Sequence, residues 1–108
     1  MAVKLLNAAT ATGASNPLDL QPPKLAHTVQ ATMGGDVVAT AVTVDLEGSV
    51  DGASWFTLAS HAFTAAEITA EKSMFHVVNK VVSCVRVNIT ALTGGTNPTV
   101  SVWYDNRD

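Results

Sequence analysis

Hydrophobic and polar residues alternate with a period of two along most of the chain. From His27, the residues Val29, Ala31 and Met33 interleave with Thr28, Gln30 and Thr32, the signature of a half-buried strand. Gly34-Gly35-Asp36 reads as a turn, and the longest strand follows. There Val38, Thr40, Val42, Val44 and Leu46 share one face, and Ala41, Thr43, Asp45 and Glu47 the other. Ser49-Val50-Asp51-Gly52 predicts a tight turn, because Asp-Gly accepts the positive φ of a hairpin. A short aromatic strand, Ser54–Ala59, carries Trp55 and Phe56. Thr64-Ala65-Ala66-Glu67 has capping-box spacing and predicts one helical turn through about Thr69, lying across the end of a sheet. Strand patterning resumes at Ser73–Val78, at Val81–Ala91 and, after the loop Thr93–Pro98, at Thr99–Asp105.

Residues 1–25 read differently. Asn7 through Pro17 is small, polar and aperiodic, and Pro22-Pro23 disfavours both helix and central strand. Only Val3–Leu6 has the character of a short strand. The segment is expected to be an extended N-terminal arm, with Leu18, Leu20 and Leu25 as apolar anchors on a neighbouring subunit; a disordered tail is the alternative. Residues 26–108 then form the domain proper. Six strands, with one or two weaker ones near the N-terminus, predict an all-β fold, a single antiparallel β-sandwich or jelly roll.

Composition narrows the function. The 108 residues are 47% hydrophobic but only 14% charged, with a net charge of −3. Such a surface has no electrostatic footprint for nucleic acid, and no apolar run approaches the ~20 residues that span a bilayer. The opening Met-Ala-Val-Lys-Leu-Leu-Asn does not read as a signal peptide. One cysteine excludes an intrachain disulfide framework. Outward-facing Ala and Thr leave strand edges weakly guarded, which predicts protein partners and self-association.

Candidate chemistry is sparse. His27, His61 and His76 lack metal-motif spacing, so His27 and His76 are expected at a sheet margin and His61 in a solvated link. Cys84 is expected to pack as a small hydrophobe, although Arg86 on its own face would favour a thiolate. Asp45 and Glu47, about 7 Å apart along one strand face, join Asp51 as the one acidic cluster. They read as a solvated strand end, the alternative being two ligands of a calcium site. Trp55 is expected to turn inward and close the core. Trp103 has the opposite phase to Val100, Val102 and Tyr104, so it points out of the core as an interface residue or a sugar platform. No catalytic, metal or cofactor site is expected.

Three stretches resemble known modules. Leu46-Glu-Gly-Ser-Val-Asp-Gly-Ala-Ser-Trp-Phe-Thr-Leu58 resembles the G-S-x-D-G-x-x-W-x-x-L hairpin of discoidin-like and carbohydrate-binding β-sandwiches. Val85-Arg-Val-Asn-Ile-Thr-Ala91 resembles the strand that follows in them, with Cys84 where an aromatic is common. Gly94-Gly-Thr-Asn-Pro-Thr-Val-Ser-Val102 is similar to the closing hairpin of small tailed-bacteriophage virion accessory proteins. The resemblance implies a non-enzymatic capsid decoration (cement) protein in the virion, assembled in the host cytoplasm. It implies the major capsid protein or other virion subunits as partners, and a homo-oligomer, preferably a trimer, with no nucleic acid or membrane bound. The alternative it implies is a glycan- or host-surface-binding module of a phage head, neck or tail fibre.

Overall fold

The computed structural model describes residues 2–108. Nine strands and one helix follow in the order β1 (Val3–Ala9), β2 (Gly13–Ala14), β3 (Leu18–Lys24), β4 (Ala26–Gly34), β5 (Ala41–Ser49), β6 (Phe56–Ala62), α1 (Ala65–Ala70), β7 (Lys72–Val77), β8 (Val82–Thr93) and β9 (Thr99–Arg107). Two antiparallel sheets face each other: a four-stranded one ordered β1-β9-β4-β7, and a five-stranded one ordered β2-β8-β5-β6 with β3 also on β8. The predicted antiparallel sandwich is therefore present, with its single short helix.

Alternation places the core. Val29, Ala31, Met33, Val100, Val102 and Tyr104 face inward from one sheet, and Val42, Val44, Leu46, Val85, Val87 and Ile89 from the other. Burying a Val or Leu side chain fully contributes roughly 1.5–3 kcal/mol, so this two-sided valine layer dominates stability. One polar pair sits within it. The imidazole Nε2–H of His27 donates to the Lys80 carbonyl, so Nδ1 is left to accept from the Tyr104 hydroxyl. Burial also pushes the Tyr104 phenol up to about 12. His27 is thus a satisfied core residue, not a marginal one.

The N-terminal segment departs from expectation. It is not an arm: β1 pairs with β9, while β2 and β3 both pair with β8. Leu20 is 3% exposed and belongs to the core. The reading failed because β1 and β3 lie at sheet edges, where one side of the strand needs no partner and proline is tolerated. The boundary at residue 25 therefore separates strands of one sandwich rather than an arm from a domain. The long strand is also shorter than its pattern suggests. Residues 35–40 form a loop, pinned by the bridge between Val37 and Thr96, before β5 begins at Ala41. That loop packs tightly on the β8–β9 connection, where a Cβ at Gly95 would lie 2.4 Å from the Val37 carbonyl oxygen.

The helix matches its sequence signal. Thr64 accepts from the Glu67 amide, and the Glu67 carboxylate accepts from the Thr64 amide, closing the capping box.

Candidate functional site

The outer face of the five-stranded sheet is polar and internally satisfied. Register places Glu47 opposite Arg86 and Asp45 opposite Asn88 on β5 and β8. Glu47 accepts from Arg86 Nε at 2.6 Å and from Asn88 Nδ2 at 3.1 Å. Asp45 accepts from Ser60 Oγ at 2.5 Å. The Arg86 guanidinium lies 4.6 Å from the centre of the Trp55 ring. Trp55 therefore does not enter the core as expected. Its half-buried ring covers Arg86 from outside, because an arginine already fixed by a carboxylate offers a flat cationic surface to stack on.

The acidic cluster does not converge. Asp51 closes its own loop instead, accepting from the amides of Ser54 and Ala53 and from the Ser49 hydroxyl. These bonds hold its carboxyl far below the usual range. Among the described residues, no group of three His, Cys, Asp or Glu side chains is arranged to hold a metal. The same loop buries Cys84, whose thiol faces the Ser49 carbonyl at 3.5 Å. The cysteine is packed inside the fold.

His61 and His76 also find ordinary partners. Thr28 bonds His76 across the β4–β7 pair at 3.0 Å. His61 is not in a solvated link: it lies on β6, stacks on Phe75 and meets Glu67 at 2.8 Å. Glu67 also accepts from Ser73 of β7, so α1 ties the β6 edge of one sheet to the β7 edge of the other. The Ser73 hydroxyl and the Thr64 amide together lower the Glu67 carboxyl from 4.5 to about 2.

The outer face of the four-stranded sheet is less consumed. Lys4, Trp103, Gln30 and Met74 form one row across β1, β9, β4 and β7. Trp103 points outward as expected, half-buried, with Lys4 Nζ 4.7 Å from its ring centre. Met74 stands between two shallow depressions of about 150 and 520 Å³.

The most apolar exposed region lies at one end of the sandwich. Pairing of Lys24 with Val82, Ser49 with Cys84, Gly48 with Phe56 and His27 with Val77 gathers the connections 25, 50–55 and 78–81 there. Leu25, Val50, Phe56, Val78 and Val81 are all exposed at this end, Val50 by 75% and Phe56 by 69%. Val50, Phe56, Leu58 and Val82 line an open groove of about 290 Å³. Of the four residues expected at an interface, Leu25 is at this end, Trp103 is on the four-stranded face, Leu18 packs against the core, and Leu20 is inside it. Sequence reasoning missed Val50, Phe56, Val78 and Val81 as one group. No local pattern carries it, since two connections far apart in sequence contribute.

No protein-family model matches the chain, and no curated protein matches it. Solved structures share its fold. The SPBc2 prophage-derived protein YomS superposes with a TM-score of 0.58 at 10% identity, over 96% of this chain and 90% of that one. CBM32-3 from a family 31 glycoside hydrolase of Clostridium perfringens gives 0.61 at 9% identity, over 94% of this chain and 72% of that one. The PBSX exported protein XepA gives 0.65 at 15% identity; all of this chain is covered, but only 38% of XepA. At such identities the likeness is one of fold. Prophage-derived proteins and a carbohydrate-binding module share this two-sheet architecture.

Proposed function

We propose that the chain is a non-enzymatic structural protein of a bacteriophage particle, a capsid decoration protein that binds between capsid subunits and stabilises the head. The observation that carries the reading is the apolar end. Exposed Leu25, Val50, Phe56, Val78 and Val81 gather on a chain that is only 14% charged. Contiguous exposed hydrophobic surface marks a protein interaction site. The structural likeness to two prophage-derived proteins supports a phage setting. Attachment is then through this end of a rigid sandwich, continued by Trp103 on the adjoining face, and not through a flexible arm.

Co-sedimentation with expanded capsids of the phage that encodes the chain tests it. Val50→Asp combined with Phe56→Asp should abolish binding while leaving the thermal melt intact, since both side chains are exposed. Trp103→Ala should weaken binding by about 2 kcal/mol, the scale of an interface hot spot. Unchanged binding by both variants would refute attachment through these surfaces.

A second reading is a glycan-binding module of a head, neck or tail fibre. The array of Trp55, Arg86, Glu47, Asn88 and Asp45 favours it, because flat aromatic and planar polar groups are what sugars contact. A glycan array separates the two: specific retention that Trp55→Ala removes supports this reading over decoration.

A further inference from the structure

Sheet edges expose unpaired backbone N–H and C=O groups, and folded proteins guard them with lysine, proline, bulges or a covering element. The edges here are β1 and β7 of the four-stranded sheet, and β2, β3 and β6 of the five-stranded one, β2 and β3 sharing the same side of β8. β2 is only two residues long, and three of the others are guarded. β1 carries Lys4 and two register irregularities. β3 contains Pro22 and Pro23, which have no N–H to offer, and ends at Lys24. β7 opens on Lys72, and α1 packs beside it.

β6 is different. Phe56-Thr-Leu-Ala-Ser-His-Ala62 contains no proline and no Asp, Glu, Lys or Arg. Its single irregularity lies near one end, where Leu58 is skipped between the pairs at Leu46 and Glu47. Thr57, Ser60 and Ala62 are exposed along it. The charges nearest the strand are already engaged: Asp45 accepts from Ser60, and Glu47 is held by Arg86. His61 is drawn back against its own copy by Glu67 and Phe75.

We propose that β6 pairs antiparallel with β6 of a second copy about a twofold axis, joining two five-stranded sheets into one continuous sheet. Water can satisfy such an edge, but another strand satisfies it with a full ladder, and a second copy brings an edge with the same open groups. One isologous contact therefore satisfies both. The same pairing at β1 would set the Lys4 side chains on one shared edge, and at β7 the Lys72 side chains; at β6 no like charges meet. This gives a dimer in place of the trimer that the family resemblance implies. It uses the backbone edge of β6, which meets the apolar end only at Phe56 and Leu58; Ser60 lies outside that end, so loss of dimerisation in Ser60→Lys is read separately from loss of capsid binding in the apolar-end variant.

Sedimentation equilibrium across a concentration series, with hydrogen exchange at low and high concentration, tests it. The wild type should pass from monomer to dimer, with amide protection rising in residues 56–62. Ser60→Lys places a guard charge mid-strand, next to Asp45, and should weaken dimerisation at least about tenfold. Ser60→Ala, which removes the bond to Asp45 without adding charge, should dimerise as the wild type does. Thr57→Lys provides a second guard variant if Ser60→Lys lowers the melting temperature. A wild type that stays monomeric at millimolar concentration or forms trimers overturns the proposal. So does undiminished pairing by folded lysine variants, or a dimer with no added protection in β6.

Discussion

Two tryptophans lie on opposite faces of the sandwich, each stacked with a cation at nearly the same distance: Trp55 on Arg86 at 4.6 Å, and Trp103 with Lys4 at 4.7 Å. Their surroundings differ. Arg86 is anchored by Glu47, itself bonded to Asn88, so Trp55 caps a fixed polar network. Among the described residues, Lys4 Nζ bonds the Asn7 side chain at 3.4 Å, and the lysine lies on an edge strand. A lysine head on a flexible stem can swing away where a guanidinium held by a carboxylate cannot. One ring is thus a fixture of the fold, while the other is a surface with a removable cover. The same aromatic–cation pair serves stability on one face and availability on the other.

The largest expected effect comes from undercutting the strand behind Trp55. Arg86 lies on β8, and β3 flanks β8 through Leu18 and Asp19, with Leu20 sealed beneath. Leu20→Ala should cost about 3 kcal/mol in urea unfolding, as for other buried leucines. A near-zero cost would restore the reading of residues 1–25 as an arm and detach them from the comparison. Next is Arg86→Ala. It leaves Glu47, whose side chain is 11% exposed, without its ion pair and strips the support from Trp55. About 2 kcal/mol should be lost, less than for a fully buried pair because Arg86 retains 28% exposure. A loss no larger than that of a surface substitution would place Trp55 and Trp103 in the same class.

The sequence makes one half of this picture readable. β4, β5, β8 and β9 are interior strands whose inward valines must alternate, so their period of two survives in the chain. The capping box at Thr64 and Glu67 is equally local. β7 is legible too, since the pattern at Ser73–Val78 matches Lys72–Val77, and β6 is legible in part; β2 and β3 are not. In β3 the alternation of Leu18 and Leu20 with Asp19 and Gln21 is present, but it runs into Pro22-Pro23, and only an edge position reconciles the two. Trp55 was expected inside because large aromatics usually are. Its actual place depends on the register that sets Glu47 opposite Arg86, a pairing between residues far apart in the chain. The apolar end is hidden for the same reason: its side chains become neighbours only when the strands are paired.

Acid should sharpen the contrast by loosening the edge that joins the two sheets before either face. Glu67 connects Thr64, His61 and Ser73, and these bonds lower its carboxyl from 4.5 to about 2. A carboxyl lowered on folding adds stability above the unfolded value, and that contribution is lost as the pH falls from about 4.5 towards 2. Unfolding free energy should therefore fall across this window in the wild type and fall less steeply in Glu67→Gln. The effect should be smaller than that of Arg86→Ala, because the carboxylate is partly solvated and screened. An identical slope in the two proteins would remove Glu67 from the account.

The smallest effect is the most direct test of the two tryptophans. Lys4→Met keeps an apolar stem over Trp103 while removing the charge, and an exposed cation–π contact contributes only about 0.5–1 kcal/mol. Double-mutant cycles should give a coupling near the lower end of that range for Lys4 with Trp103. For Arg86 with Trp55 the coupling should be larger, because the guanidinium is held in place before the ring stacks and loses little further freedom. Salt should separate them as well, with the exposed Lys4 contact fading first. Binding offers the decisive contrast. If Lys4 is a removable cover, Lys4→Met should leave capsid attachment near the wild-type level, whereas Trp103→Ala should weaken it. Equal coupling at both tryptophans, with equal salt dependence, would mean that the Glu47 anchor makes no difference and that the two faces are interchangeable.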